Sequence, residues 1–185
     1  MNYINGMRIG LTDETMVKEH DIYLSLGSNI GNRAEYLRFA IRQLSLDLTL
    51  VSVSSIYETE PWGYDDATPY LNMAAWFKTD LSAQKLRNLT AEIEKMAGRE
   101  ARSASATGDY QARTLDIDIL FYDQMTIQEN GLEIPHPRLH LRNFVLQPLS
   151  EINVDLVHPV FNKTIRDLLK SSPDSSEIKQ FGEEL

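Results

Sequence analysis

Two helical stripes interleave with four runs of alternating hydrophobicity, in the order strand, helix, strand, strand, helix, strand. That order predicts an α+β chain of the split βαβ type (βαββαβ, ferredoxin-like). Its strands form one antiparallel sheet with the helices on one face, which leaves the opposite face free to carry a site. A C-terminal extension follows the last strand.

Each element has its own signal. Ile22, Leu24 and Leu26 alternate with Tyr23 and Ser25, a half-buried strand that runs into Gly27. Asn32 then stands at a helix-cap position with Glu35 three residues on as its capping-box partner, and Leu37, Ile41, Leu44 and Leu48 follow at helical spacing. The β-branched run Leu50 to Tyr57 predicts the second strand, and Glu58 to Pro69, with two Pro and one Gly, a loop. The third strand opens at Tyr70, with Leu71, Met73 and Phe77 on one face and Tyr70 and Asn72 on the other. Ser82 caps a second helix whose stripe of Leu86, Leu89, Ile93 and Met96 ends at Gly98, and Thr114 to Tyr122 is the fourth strand.

At 185 residues and 21.1 kDa the chain has room for one domain. Apolar residues at 42% and charged residues at 24% exclude global disorder, and zero Cys excludes disulfide scaffolds and thiolate metal sites. No apolar run reaches the roughly 20 residues a bilayer demands, and residues 1–20 lack a basic start followed by an apolar stretch. A cytoplasmic protein is expected. The net charge of −9 argues against nucleic acid and anionic membranes as partners, while ATP stays possible if a metal accompanies it. The expected division is an N-terminal extension over residues 1–20, a domain over 21–170 and an acidic, frayed tail over 171–185.

Asp116 and Asp118 sit one residue apart in a strand, so their carboxylates share a face roughly 6 to 7 Å apart. Neighbours Leu115, Ile117, Ile119 and Phe121 point to the core. Such a pair suits Mg²⁺, which takes one or two carboxylates plus substrate phosphates. It is equally the solvated acidic face of an ordinary strand. Between Gly98 and Thr114 runs a long small-polar segment with Arg99, Arg102 and Arg113 in or beside it: a basic lid for phosphate, or a solvated loop. His136 and His140, four residues apart, read as a phosphate-binding cluster with Arg138 and Arg142, as a turn fixed by Pro135 and Pro137, or as a zinc pair that lacks a third ligand. Leu26 to Asn32 (LGSNIGN) fits neither nucleotide-loop pattern and reads as a tight turn with a local cap. Tyr57, Trp62, Trp76 and Phe144 read as core aromatics. Tyr70 is the exception, since it shares a face with Asn72, where a flat heterocycle could stack on the ring while the amide reads its edge.

Taken in order, LGSNIGN, YETEPWG, YLN, ARTLDIDILFYD and IPHPRLHLRNFVLQPL resemble the 6-hydroxymethyl-7,8-dihydropterin pyrophosphokinase family of folate biosynthesis, over nearly all of residues 21–170. The resemblance implies a ferredoxin-like α+β fold and transfer of pyrophosphate from ATP to the pterin's hydroxymethyl group, with release of AMP. It implies that Asp116 and Asp118 hold two Mg²⁺ ions. Thr59, Trp62, Tyr70, Asn72 and Phe144 would bind the pterin. Glu94, Arg113, Ile119, His136 and Arg142 would bind ATP, and Arg99 and Arg113 would join the two acids in catalysis. The segment from Glu100 to Gln111 matches a mobile catalytic lid. Tyr110, Gln111 and Ala112 stand where family members often have Trp-Gly-Pro, and Ala101 where they commonly have a basic residue, so Arg102 and Tyr110 receive no role. A monomer acting on two small molecules is the expected state. Two rivals remain: a nucleotidyl transferase, whose acids would lie about ten residues after the Gly-Ser, and a binding module without chemistry.

Overall fold

The computed structural model describes residues 18–61, 68–98, 113–129 and 131–182. Its elements are β1 (His20–Ser28), α1 (Arg33–Asp47), β2 (Thr49–Val53), β3 (Tyr57–Thr59), β4 (Tyr70–Thr79), α2 (Ala83–Met96), β5 (Asp116–Tyr122), β6 (Ile127–Glu129), β7 (Leu132–Ile134), α3 (Asn143–Asn153), β8 (Val157–His158), β9 (Lys163–Thr164), α4 (Ile165–Lys170) and β10 (Ile178–Gln180). The main sheet is antiparallel in the order β10-β3-β4-β1-β5, and β2 pairs with β4 on the same edge as β3. This is the ferredoxin-like layer, with β6–β7 and β8–β9 as separate hairpins.

Local chemistry sets the helix starts. Asn32 accepts a hydrogen bond from Glu35 N at 3.3 Å, as a cap should, while the Glu35 carboxylate goes to Arg42 at 2.6 Å instead of completing a capping box. Ser82 caps α2 by accepting from Lys85 N. One face of the sheet packs Leu24, Leu26, Met73 and Phe77 against Leu37 and Leu44 of α1 and Leu86 and Ile93 of α2. Met96 departs from its expected place in that stripe: it is 59% exposed, because 3.6-residue periodicity carries the buried line from Ile93 to Ala97.

Four further expectations are corrected. The second strand is two, β2 and β3. The break comes where Ser54 N still donates to Ala74 O at 3.0 Å but Ala74 N donates to the Ser54 hydroxyl at 2.9 Å, and Ser55 N turns away to Glu151 of α3 at 2.7 Å. In β5 the pairing shifts between Tyr23 opposite Phe121 and Leu24 opposite Ile119, which makes Leu120 a bulge. Phe121 is therefore turned from the α1/α2 core to the other face, where it packs with Tyr23, Ala74 and Leu146. That second face is only partly free, since α3 and α4 cover it with Val145, Leu149, Ile165 and Leu168. Finally, the tail is not frayed through residue 180: Ile178–Gln180 adds β10 to the sheet beside β3.

Candidate active site

The uncovered part of the second face is fixed by strand register. Directly opposed residues of antiparallel strands send their side chains to the same side. Gly27 of β1 faces Asn72 on one flank and Asp116 on the other, Ser25 faces Asp118, and Thr59 of β3 faces Tyr70. The four strands thus bring Thr59, Tyr70, Asn72, Asp116 and Asp118 to one surface. Gly27 lies at its centre, where a Cβ would stand 3.2 Å from Asn72 Oδ1 and 3.8 Å from Tyr70 Cδ1. Without a side chain there, the floor between the amide and the acids stays open.

A narrow cavity rises over this floor, walled by Thr59, Tyr70 and Asn72 on one side and Arg142 and Phe144 on the other, with Asp116 and Asp118 at one end. Thr59 and Asn72 are each 3% exposed, and Asn72 Nδ2 donates to Thr59 Oγ1 at 2.8 Å. The buried amide is thereby locked, with its oxygen toward Gly27. The Arg142 guanidinium lies 5.5 Å from the centre of the Phe144 ring. Arg142 lines this smaller cavity together with the two acids that the wider cleft shares.

A wider, open cleft lies on the far side of the same two acids, lined by Glu94, Ile119, His136 and Arg138 among others. Glu94 is buried on α2 and accepts from Ile117 N at 2.8 Å. That bond satisfies a backbone donor on the outer edge of β5, midway between Asp116 and Asp118, and so fixes the strand that carries them. His136 accepts from Arg138 N through Nδ1 at 3.2 Å, which leaves the proton on Nε2, 3.8 Å from Asp118. Burial, reinforced by the positive charges of Arg142 and Arg138 and opposed by Asp116, pushes His136 down to about 4. At neutral pH the ring faces Asp118 as an uncharged donor, not as half of a salt bridge.

Arg113 contacts Asp116 Oδ2 through Nη1 at 2.6 Å. Its backbone is held by Asn29, whose Oδ1 accepts from Arg113 N at 2.7 Å and whose N donates to Arg113 O at 3.0 Å. Asn29 was legible in the sequence only as a turn residue, and its partner is 84 positions away. Ser25, beneath Asp118, was legible only as a strand residue. Of the expected site residues, Trp62 and Arg99 lie outside the described residues, as do Arg102, Tyr110 and the segment from Glu100 to Gln111. His140 stands apart from both cavities, its ring 4.6 Å from that of Phe161, and among the described residues no group of three or more metal-type ligands forms.

A family model described as 7,8-dihydro-6-hydroxymethylpterin-pyrophosphokinase matches residues 23–154. The 2-amino-4-hydroxy-6-hydroxymethyldihydropteridine pyrophosphokinase of Bacillus subtilis (strain 168) is 45% identical over 132 residues, covering 70% of this chain and 76% of its own length. The Aquifex aeolicus (strain VF5) enzyme of the same name is 36% identical over 146 residues, covering 79% and 88%. Among solved structures, a triple mutant of Plasmodium falciparum HPPK-DHPS superposes with a TM-score of 0.68 at 18% identity, covering 85% of this chain and 45% of that longer one. At that identity the likeness speaks for the fold alone.

Proposed function

This chain belongs to the 7,8-dihydro-6-hydroxymethylpterin-pyrophosphokinase family, and from that premise we propose how its two cavities divide the substrates. The enzyme transfers pyrophosphate from ATP to the hydroxymethyl group of 6-hydroxymethyl-7,8-dihydropterin in folate biosynthesis, releasing AMP. In our reading the pterin occupies the smaller cavity between Tyr70 and Phe144, its edge read by Thr59 and Asn72, and Trp62 is a further pterin-binding residue. ATP occupies the wider cleft against Glu94, Ile119 and His136. The observation that carries this division is that Asp116 and Asp118 line both cavities.

The donor set suits a hard cation: two carboxylates on one rigid strand, no sulfur, and a neutral imidazole beside them. Two acids alone leave most coordination positions to water and phosphate, which is how Mg²⁺ is usually held with nucleotides. Two Mg²⁺ ions on Asp116 and Asp118 would neutralise the polyphosphate and make its β-phosphorus more electrophilic. The chain's own residues do the rest. Tyr70, Phe144 and Asn72 hold the pterin so that its hydroxymethyl oxygen points to the shared end of the cavities. Attack of that oxygen on the β-phosphorus forms the new P–O bond and breaks the bond from the β-phosphorus to the oxygen bridging it to the α-phosphate, releasing AMP, and the hydroxyl proton passes to solvent water. His136 donates from Nε2 toward phosphate oxygen without changing its protonation. Arg113, swung from Asp116, and Arg99 stabilise the charge that develops. We place the enzyme in the cytoplasm as a monomer.

Incubation with Mg-ATP and the hydroxymethyl pterin tests this. AMP and a pyrophosphorylated pterin are expected, whereas free pyrophosphate would reveal nucleotidyl transfer and unchanged ATP a binding module. Calorimetric titration of Mg²⁺ with a non-hydrolysable ATP analogue should lose its signal in Asp118→Asn.

A further inference from the structure

We propose that the C-terminal tail braces the smaller cavity, with Asp174 as its positioning residue. The tail lies outside the span of the family match, yet it reaches both walls. One wall, Arg142 and Phe144, stands at the start of α3. That helix has no local cap: Arg142 at the cap position makes no side-chain cap bond and the first turn holds no acid. Asp174 supplies the missing cap from 31 residues downstream, its Oδ2 accepting from Asn143 N at 2.8 Å and its carbonyl from Asn143 Nδ2 at 2.6 Å. Asn143 stands between Arg142 and Phe144, so fixing its backbone and side chain together fixes the direction of both neighbours.

The carboxylate is itself held. Ser176 N and Oγ donate to Asp174 Oδ1 at 2.9 and 2.6 Å. A few residues on, β10 reaches the other wall. Ile178 pairs opposite Thr59, Gln180 Nε2 donates to Ser55 Oγ at 3.0 Å, and Phe181 N donates to Ile56 O at 2.8 Å. The Phe181 ring packs on the α1/α2 core and anchors the end of the strap. The eight residues from Asp174 to Phe181 thus tie the Phe144 wall to the Thr59 wall. Because the brace rests on the assignment of the pterin to this cavity, its kinetic signature is confined to one substrate.

The test is steady-state kinetics on the full chain with both substrates varied, alongside thermal melting. Loss of the cap in Asp174→Ala should raise KM for the pterin about fivefold, with KM for ATP and kcat within about twofold. Asp174→Asn should bring the pterin KM most of the way back, to about the level of a Ser176 variant, since its amide oxygen still accepts from Asn143 N while its amide nitrogen cannot accept from Ser176 N. Ser176→Ala, milder for folding, should raise the same constant about twofold. An Asp174→Ala enzyme that melts earlier with an unchanged pterin KM, or one whose two KM values rise together, overturns the proposal. Phe144→Ala separates the two levels: if it leaves the pterin KM unchanged, the cavity assignment fails and the brace fails with it. If it raises that KM while Asp174→Ala does not, only the brace is wrong.

Discussion

The two cavities share Asp116 and Asp118 and differ in most of what else walls them. The smaller is bounded by sheet side chains on one flank and by the first turn of α3 on the other, with an aromatic ring on each side and a locked amide between. The wider is open, polar and lined from α2, β5 and the segment after β7. In the proposed division, the tight, ring-walled slot selects the pterin by shape and edge contacts, whereas the broad cleft takes the polyphosphate. Placing both acids on one strand at the junction lets one rigid element serve two sites of different character.

The sharpest way to break this comparison is at what the cavities share. Asp116→Asn should lower turnover by about three orders of magnitude or more while pterin binding survives within a few-fold. Rapid-quench assay and fluorescence titration would check this, and a mutant that keeps its turnover would remove the acid from the mechanism. Next comes one wall of the slot: Phe144→Ala loses a stacking surface worth about 1–3 kcal/mol. Its pterin KM should rise roughly ten- to a hundredfold with the ATP KM unmoved, and an equal rise in both would mean the cavities are one site.

The cleft has its own signature in pH. Burial holds His136 at about 4, and burial followed by the nearby His140 holds His158 at about 4, both below the ordinary imidazole range. The unfolded chain therefore binds more protons than the folded one between pH 6.5 and about 4, so stability should fall as pH drops through that window. Each ring contributes on the order of 1 kcal/mol per pH unit. Melting at pH 7, 6 and 5 should show the slope and His136→Gln should remove about half of it; a wild-type melting point flat across the window would contradict the buried neutral rings. The smallest effect belongs to the floor of the slot. Gly27→Ala places a methyl 3.2 Å from Asn72 Oδ1, tight enough to displace the amide slightly. Pterin KM should rise a few-fold and ATP KM should stay put; parallel changes would place Gly27 under both ligands.

Legibility in the sequence followed the range of the interaction involved. Face parity needs only the two-residue repeat of a strand, so Tyr70, Asn72, Asp116 and Asp118 could be assigned to one surface before any pairing was known. Phe121 defeated the same rule because the bulge at Leu120 arises from pairing with β1, which local periodicity does not encode. The cap of α1 could be read at Asn32, since donor and acceptor are three residues apart. The cap of α3 could not, because it arrives from Asp174. The same limit hid Asn29 behind Arg113 and left Glu94 without its bond to Ile117 N.

Alone, the sequence determined the order of elements, the side of the sheet on which Tyr70, Asn72 and the two acids stand, and, through its resemblance, the reaction. These depend on periodicities and spacings that survive in an extended chain. Tertiary structure decided that the second face is half covered, that two unlike cavities meet at one acid pair, and that an acidic tail becomes a strand and a cap. Those outcomes depend on which backbone donors and carboxylates find each other across many residues, a choice made by the packed three-dimensional arrangement and not by neighbouring side chains.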